Sequence, residues 1–193
     1  MTRIIAGFAG SLTLAVPRAG TRPTSDRVRE AIFSSLESRG GLEGLHVLDL
    51  YAGSGALALE AISRGAASAV LVEKNPAAAK IARQNATTVT AATPRGTARP
   101  RVEVVVQTVQ AYLRNAPVHA ATGFDVVFID PPYDLPDGEL AETLTALVPH
   151  LAPDATVLVE RSTRTPAPDY PSALVPDRTK SYGETALHWS TRA

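Results

Sequence analysis

The chain has 193 residues, enough for one domain with a full core. Lysine plus arginine and aspartate plus glutamate balance at 19 each, which argues against binding naked duplex by bulk electrostatics. Cysteine is absent, which excludes a disulfide frame and thiolate chemistry, and His46, His119, His150 and His188 are too scattered for metal-ligand spacing.

The start, Met1-Thr2-Arg3-Ile4-Ile5, lacks the long apolar core of a signal peptide. No apolar run approaches the roughly 18 residues of a membrane span, so a soluble cytoplasmic protein is expected. Residues 1–22 read as a short hairpin, with Arg3–Ala6 and Leu12–Val16 flanking the turn Gly7–Ser11. This segment precedes the βα alternation and need not contribute to its core. A helix begins near Thr24, capped by Thr24 or Ser25, with Val28, Ile32, Phe33 and Leu36 as its apolar stripe and Gly40-Gly41 as its end.

From His46 strand and helix alternate. Val47–Leu50 is an apolar strand, Ala56–Arg64 a helix closed by Gly65, and Ala69–Glu73 the next strand. Pro76 opens a helix running to about Ala86. Residues 88–101, rich in Thr, Ala, Pro and Arg, are expected to be a mobile loop. Val102–Val106 is a strand, Val109–Arg114 a short helix, Phe124–Ile129 a buried strand, and Gly138–His150 a helix. Ala155–Glu160 is a fifth parallel strand, and a Pro-rich connection over 162–172 leads to a final hairpin of Leu174-Val175 and Ala186–Trp189. The alternation implies an α/β fold: a mostly parallel sheet with helices on both faces, an antiparallel edge hairpin and a small N-terminal β-hairpin extension. The domain division is 1–22 and 23–193, with no second boundary after residue 40.

Two constellations carry chemistry. Asp130-Pro131-Pro132-Tyr133 directly follows a buried strand, where an open α/β sheet presents ligand-binding groups. The two prolines fix φ and remove two backbone donors, so no neighbouring amide competes for the Pro131 carbonyl. Two acceptors beside the aromatic plate of Tyr133 make a pocket for a planar group carrying an NH2, such as a nucleobase amine. The plain alternative is a Pro-Pro turn capping a strand.

The second constellation is Asp49-Leu50-Tyr51-Ala52-Gly53-Ser54-Gly55-Ala56, between a strand and a helix. Gly53 and Gly55 allow close approach of backbone to ligand, and Glu73 at the next strand end can accept two ribose hydroxyl hydrogens. Taken alone, these features fit any nucleoside-containing cofactor. Asp49 discriminates: a carboxylate before the glycine turn repels a pyrophosphate but suits a cofactor with a cationic amino-acid tail, as in S-adenosylmethionine. The plainer readings are a helix cap for Asp49, an ordinary turn for the glycines and a solvated strand end for Glu73.

With these motifs in place, the chain resembles class I S-adenosylmethionine-dependent methyltransferases that modify exocyclic base amines. More closely, it resembles the RsmD family, bacterial 16S ribosomal RNA guanine-N2 methyltransferases. The resemblance covers nearly the whole chain: Arg3-Ile4-Ile5-Ala6-Gly7, Arg22-Pro23-Thr24-Ser25-Asp26-Arg27-Val28-Arg29-Glu30, Asp49 to Gly55, Glu73-Lys74-Asn75, Asp130 to Tyr133, and Tyr182-Gly183-Glu184-Thr185. It implies a Rossmann-like class I methyltransferase sheet, with S-adenosyl-L-methionine contacts at Asp49, Tyr51, Gly53, Gly55, Glu73 and Lys74. It further implies contacts near Thr24 and Arg27 and at Gln107 and Thr108. The catalytic set implied is Asp130, Pro131 and Tyr133, with no metal. The implied partner is 16S rRNA, as free RNA or in an assembling small ribosomal subunit; the near-neutral charge favours the subunit, which presents the loop together with ribosomal proteins, and a monomer is expected. One departure stands out. In the family the turn after Ile-Ile-x-Gly is usually basic; here Phe8-Ala9-Gly10-Ser11-Leu12-Thr13 carries no Lys or Arg. The loop Arg95-Gly96-Thr97-Ala98-Arg99-Pro100-Arg101 either compensates or is a solvated insertion.

Asp-Pro-Pro-Tyr also serves methyltransferases acting on adenine N6, and it is the resemblance that selects guanine. An adenine-N6 DNA or RNA methyltransferase, a nicotinamide-dependent oxidoreductase and an inactive ribosome-assembly factor are the competing readings. The oxidoreductase leaves Asp49 and Asp130–Tyr133 unexplained, and the inactive factor leaves Asp130 and Tyr133 without a role.

Overall fold

The computed structural model describes residues 2–16, 25–116 and 123–193. A short hairpin, β1 (Thr2–Arg3) and β2 (Thr13–Leu14), comes first. It is followed by α1 (Asp26–Glu37), β3 (His46–Leu50), α2 (Ala56–Ser63), β4 (Ser68–Val72), α3 (Pro76–Ala91) and β5 (Arg101–Val105). Then come α4 (Val109–Asn115), β6 (Phe124–Ile129), α5 (Asp137–Leu147), a 3-10 turn at Val148–His150, and β7 (Leu151–Ser162). The last elements are β8 (Leu174–Tyr182) and β9 (Thr185–Arg192).

The large sheet has seven strands in the order β5-β4-β3-β6-β7-β9-β8. The first five are parallel, and β9 runs antiparallel to both β7 and β8, as the expected edge hairpin requires. From β3 the chain winds outward through β4 to β5, then returns to the other flank of β3 as β6. That reversal parts the connections on the two sides of β3 and opens a crevice at the C-terminal ends of β3 and β6.

Successive strand residues face opposite layers. Val47 and Phe128 pack with the apolar stripe of α1 and with α2 and α3. Leu48 and Val127 pack with α4 and α5. The sheet is thus covered on both faces, which is why β3 and β6 read as continuous apolar runs. Among the described residues no helix is long and apolar enough to cross a membrane.

Several boundaries differ from expectation for physical reasons. Ser25 caps α1 through the Val28 amide at 3.3 Å, while Thr24 lies outside the described residues. Helix α3 continues to Ala91, so the connection begins later than residue 88. The hydroxyls of Thr87, Thr88 and Thr90 donate to the carbonyls of Arg83, Gln84 and Ala86, and Val89 is fully buried. Burial overrides the weak helix propensity of a β-branched run. β8 and β9 are longer than the apolar segments that announced them. β8 is an edge strand, so its outward residues are polar, and Pro176 is accommodated beside a bulge.

The expectation that the N-terminal segment contributes little to the core is corrected. Ile4 and Leu14 are almost fully buried and join the same apolar cluster as α1 and α2. Backbone groups of the segment are bound by side chains of α2: the Ile5 and Ala6 amides donate to Glu60 at 2.6 and 3.0 Å, and the Ala9 amide donates to Ser63 Oγ at 3.0 Å. Gly7 lies so close to α2 that a Cβ there would sit 1.8 Å from the Ser63 carbonyl oxygen. Removing residues 2–16 would expose the apolar bed of two buried side chains, each worth about 1.5–3 kcal/mol, and strip Glu60 of two donors. The truncated chain is therefore expected to lose at least about 3 kcal/mol of unfolding free energy. Urea titration of the two chains checks this; equal midpoints would show that the segment is a passive appendage.

Candidate active site

The site is assembled on the turn that joins β3 to α2. Asp49 lies in β3, level with Leu71 of β4 and Phe128 of β6, and is buried. Its Oδ2 accepts the Ala58 amide at 3.2 Å. Helix α2 has Gly55 at its N-cap, in a left-handed conformation at φ 79°, with no side chain to satisfy its first turn. Asp49 supplies the missing acceptor from the strand. Burial pushes its carboxyl up to about 8; the Ala58 amide opposes that shift, and the nearby charges of Asp130 and Glu73 add to it.

Glycine is needed at positions 53 and 55 for different reasons. A Cβ on Gly55 would approach Leu71 Cδ2 to 2.5 Å, so this residue lets the turn lie against β4. A Cβ on Gly53 would meet nothing within 4 Å, yet its φ of 55° favours glycine and its amide is already engaged. That amide donates to Glu73 Oε2 at 2.9 Å, and Glu73 Oε1 accepts the Asn75 amide at 2.7 Å. Glu73, one residue past β4, thus fixes the rim of the turn while each oxygen keeps a lone pair for a ligand hydroxyl. Tyr51 is also left-handed, at φ 67°, and packs toward the α4–α5 layer. Its hydroxyl is buried beside Thr143 and Gln110 without closing a hydrogen bond of normal geometry, and burial raises its pKa.

Across the crevice, Leu50 pairs with Ile129, which places Asp130 one residue beyond the sheet. Asp130 is half-buried, Pro131 is buried, and Tyr133 is 68 % exposed at the mouth. The Leu135 amide donates to the Pro132 carbonyl at 3.0 Å, closing a turn with Tyr133 at its tip. Arg161, at the end of β7 and only 6 % exposed, donates to the Leu135 carbonyl at 3.1 Å and to Asp137 at 2.7 Å. It holds the far side of the Asp130–Tyr133 turn. Sequence reasoning missed Arg161; its signal was a lone cation ending the apolar run Ala155–Glu160.

The structure brings together Asp49, Tyr51, Gly53, Gly55, Glu73 and Asp130. Gln107 and Thr108 follow β5, whose Val105 carbonyl accepts the Glu73 amide at 3.1 Å, so both lie just beyond the same rim. The Thr108 hydroxyl caps α4 through the Ala111 amide at 3.2 Å. Arg27 is exposed on the first turn of α1, and Lys74 is exposed beside Glu73. Thr24 lies outside the described residues. Asp130 and Glu73 lie close enough to Asp49 for their charges to add to its cost of ionisation. Among the described residues no group of three acidic or histidine side chains is placed to hold a metal ion.

A family model described as "Conserved hypothetical protein 95" matches residues 2–191. The chain belongs to this family. It is 36% identical over 187 residues to ribosomal RNA small subunit methyltransferase D of Escherichia coli, covering 95% of this chain and 86% of that protein. The resemblance to the RsmD family read from the motifs is thereby borne out. The solved structure of the yhhF protein of Escherichia coli, 33% identical, superposes with a TM-score of 0.80 over 98% of this chain and 97% of that one. The rRNA methyltransferase aviRa of Streptomyces viridochromogenes, 16% identical, superposes with a TM-score of 0.71 over 91% and 88% of the two chains and shows the shared class I fold.

The buried Asp49 has a testable signature. Its folded-state pKa of about 8 lies above the unfolded value of 3.8, so between these values the unfolded chain gives up a proton that the folded chain retains. Stability drawn from the neutral carboxyl is therefore complete below the unfolded pKa and lost as pH rises toward the folded one. Asp49→Asn removes the titration and can still accept the Ala58 amide. Its stability relative to the parent is expected to rise from pH 5 to pH 8 and level off above. Urea unfolding at pH 5, 6.5, 8 and 9 measures the difference; a pH-independent one would show that Asp49 is ionised throughout.

Proposed function

We propose that this chain transfers a methyl group from S-adenosyl-L-methionine to the exocyclic N2 amine of a guanine in 16S rRNA. The substrate proposed is the assembling small ribosomal subunit in the cytoplasm, approached as a monomer that also meets ribosomal proteins. The observation that carries the reading is Asp130-Pro131-Pro132-Tyr133 at the end of β6, facing an acidic glycine turn across the sheet's reversal point. The name of the Escherichia coli relative supports the substrate class.

The residues fit the cofactor. A cationic amino-acid tail beside Asp49 would favour its ionised form, Glu73 keeps acceptor capacity for ribose hydroxyls, and Gly53 leaves open space above the turn. Tyr51, Gly55, Gln107 and Thr108 complete the proposed wall, with Thr24, Arg27 and Lys74 proposed as contacts from its margins. When bound, S-adenosylmethionine supplies an electrophilic methyl group on a sulfonium.

The protein's part is geometry and field. The lone pair of a guanine amine is conjugated into the ring, and attack removes that conjugation and places positive charge on nitrogen. Asp130 and the Pro131 carbonyl accept the two amine hydrogens, aim the lone pair and stabilise the growing charge. Asp130 or water then takes the surplus proton. Tyr133, exposed at the mouth, stacks on a base drawn out of its RNA loop, which offsets part of the unstacking cost. The segment 1–22 is proposed to dock RNA beside the methyltransferase domain 23–193, in addition to the core role of Ile4 and Leu14.

Two experiments test this reading. Glu73→Ala removes the ribose acceptor and is expected to weaken binding of S-adenosylhomocysteine by about 1–3 kcal/mol; calorimetry on the folded variant decides, and unchanged affinity removes Glu73 from the site. Single-turnover methylation with saturating cofactor tests the base pocket. Asp130→Ala deletes a charge-assisted acceptor worth about 1.5–3 kcal/mol, so turnover should fall at least about tenfold with cofactor affinity nearly intact. Tyr133→Phe should keep most activity and Tyr133→Ala much less, because the ring face does the stacking. Normal methylation by Asp130→Ala, or equal loss in the two Tyr133 variants, overturns the pocket.

A further inference from the structure

Asn85 lies on α3 and is 3% exposed, and its side chain belongs to neither constellation described above. Its Oδ1 accepts the Ala15 amide at 2.9 Å. Its Nδ2 donates to the Ala15 carbonyl at 2.9 Å and to the Ser54 carbonyl at 2.9 Å. One primary amide therefore uses both donors and an acceptor on two segments that are 39 residues apart in the chain, at positions 15 and 54. Ala15 directly follows β2 of the N-terminal hairpin, and Asn85 satisfies both of its backbone groups, as a neighbouring strand would. Ser54 is the residue between Gly53 and Gly55, so its carbonyl orientation sets the path of the turn that faces the crevice.

The chemistry requires this residue type. Aspartate offers no donor for the two carbonyls, and alanine offers nothing. Glu60 and Ser63 grip the turn of the hairpin, at Ile5 to Ala9, and Arg29 holds the Arg3 carbonyl. Asn85 is thus a bond between the hairpin's exit and the glycine turn itself. Two segments sharing one buried partner are ordered together: whatever fixes one lowers the entropic cost of fixing the other.

We propose that Asn85 is a positioning residue that couples the N-terminal hairpin to the glycine turn, so that cofactor occupancy and docking of the hairpin stabilise each other. The inference rests on the reading of the crevice as the S-adenosylmethionine site. Coupling of this kind is reciprocal, so a loosened hairpin weakens cofactor binding by the same factor by which cofactor tightens the hairpin. It favours an order of events in which the cofactor-loaded protein presents a fixed hairpin to its RNA.

Amide hydrogen exchange with and without saturating S-adenosylhomocysteine tests the coupling. In the parent chain the ligand is expected to slow exchange several-fold in two separate regions, residues 50–56 and residues 2–16. In Asn85→Ala and Asn85→Asp it should slow residues 50–56 only, and its Kd should rise several-fold. A purely structural asparagine would speed hairpin exchange by the same factor with and without ligand, so that the ligand's protection of residues 2–16 survives in the variants. Binding with protection of 50–56 but unchanged exchange over 2–16 in the parent overturns the coupling and leaves the cofactor site standing. Hairpin protection that persists in the variants also overturns it. Absence of any S-adenosylhomocysteine binding by the parent overturns the cofactor reading, and the coupling with it. If neither variant folds, the parent measurement still overturns the coupling when residues 2–16 exchange unchanged on ligand binding.

Discussion

Everything near the crevice depends on how α2 is started without a cap of its own. A left-handed glycine at the N-cap lets the chain reverse tightly against Leu71 but brings no acceptor for the helix's first amides. The acceptor comes from Asp49, nine residues before Ala58 and one strand below it. That choice places a carboxylate in a buried position where ionisation is costly. It also fixes the glycine turn between two rigid elements, and Glu73 then ties the turn's outer edge to the neighbouring strand. A turn held on both sides needs little reorganisation to accept a ligand, which is where preorganised affinity comes from.

The other end of α2 carries a second buried carboxylate, used differently. Glu60 is fully buried and accepts two backbone amides of the N-terminal segment and Arg64 Nε at 2.7 Å, with Arg29 Nη1 at 3.9 Å. Arg29, equally buried, donates to the Arg3 carbonyl at 2.7 Å and to Asp26 at 2.7 Å. A buried ion pair contributes little net stability by itself, because desolvation offsets most of the attraction. Its consequence here is specificity. Removing Glu60 or Arg29 leaves the other's charge stranded in the core, and both also bind backbone groups of the hairpin, which ties it to α1 and α2. The N-terminal segment is therefore part of the fold even though no strand of the main sheet pairs with it.

Much of this was legible in the sequence. β6 runs over Phe124–Ile129 as its apolar run indicated, and the apolar stripe of α1 is buried at every position named for it. Asp49, Gly53, Gly55, Glu73 and Asp130 converge because strand ends and their following turns are local features, readable from a few residues each. What escaped was non-local. The extension of α3 depends on burial of Val89 and on threonine hydroxyls turning back to the helix. The roles of Glu60, Asn85 and Arg161 depend on partners 24 to 70 residues away, and a lone polar residue in an apolar stretch does not reveal its partner. The length of β8 likewise follows from its place at the sheet edge, where outward residues need not be apolar, and β9 is held along its length by β7 on one side and β8 on the other.

Under the proposed reaction, the acidity of the crevice constrains how RNA can enter. Glu73 and Asp130 lie at the sheet's C-terminal edge, and a phosphate backbone drawn into their field would be repelled. A base is neutral and meets no such barrier. The only part of an RNA that can reach Asp130 favourably is thus a nucleobase extruded from its stack, its phosphates left outside. Tyr133 stands at that boundary, exposed and at the tip of a turn that Arg161 holds from behind. The chain's zero formal charge points the same way. Counterion release gives a neutral protein little affinity for RNA in general, so shape and the target base must supply the remainder. A folded ribosomal particle that already displays the base in an accessible loop lowers the cost of extrusion, and this is the physical reason to prefer it over free RNA as the substrate.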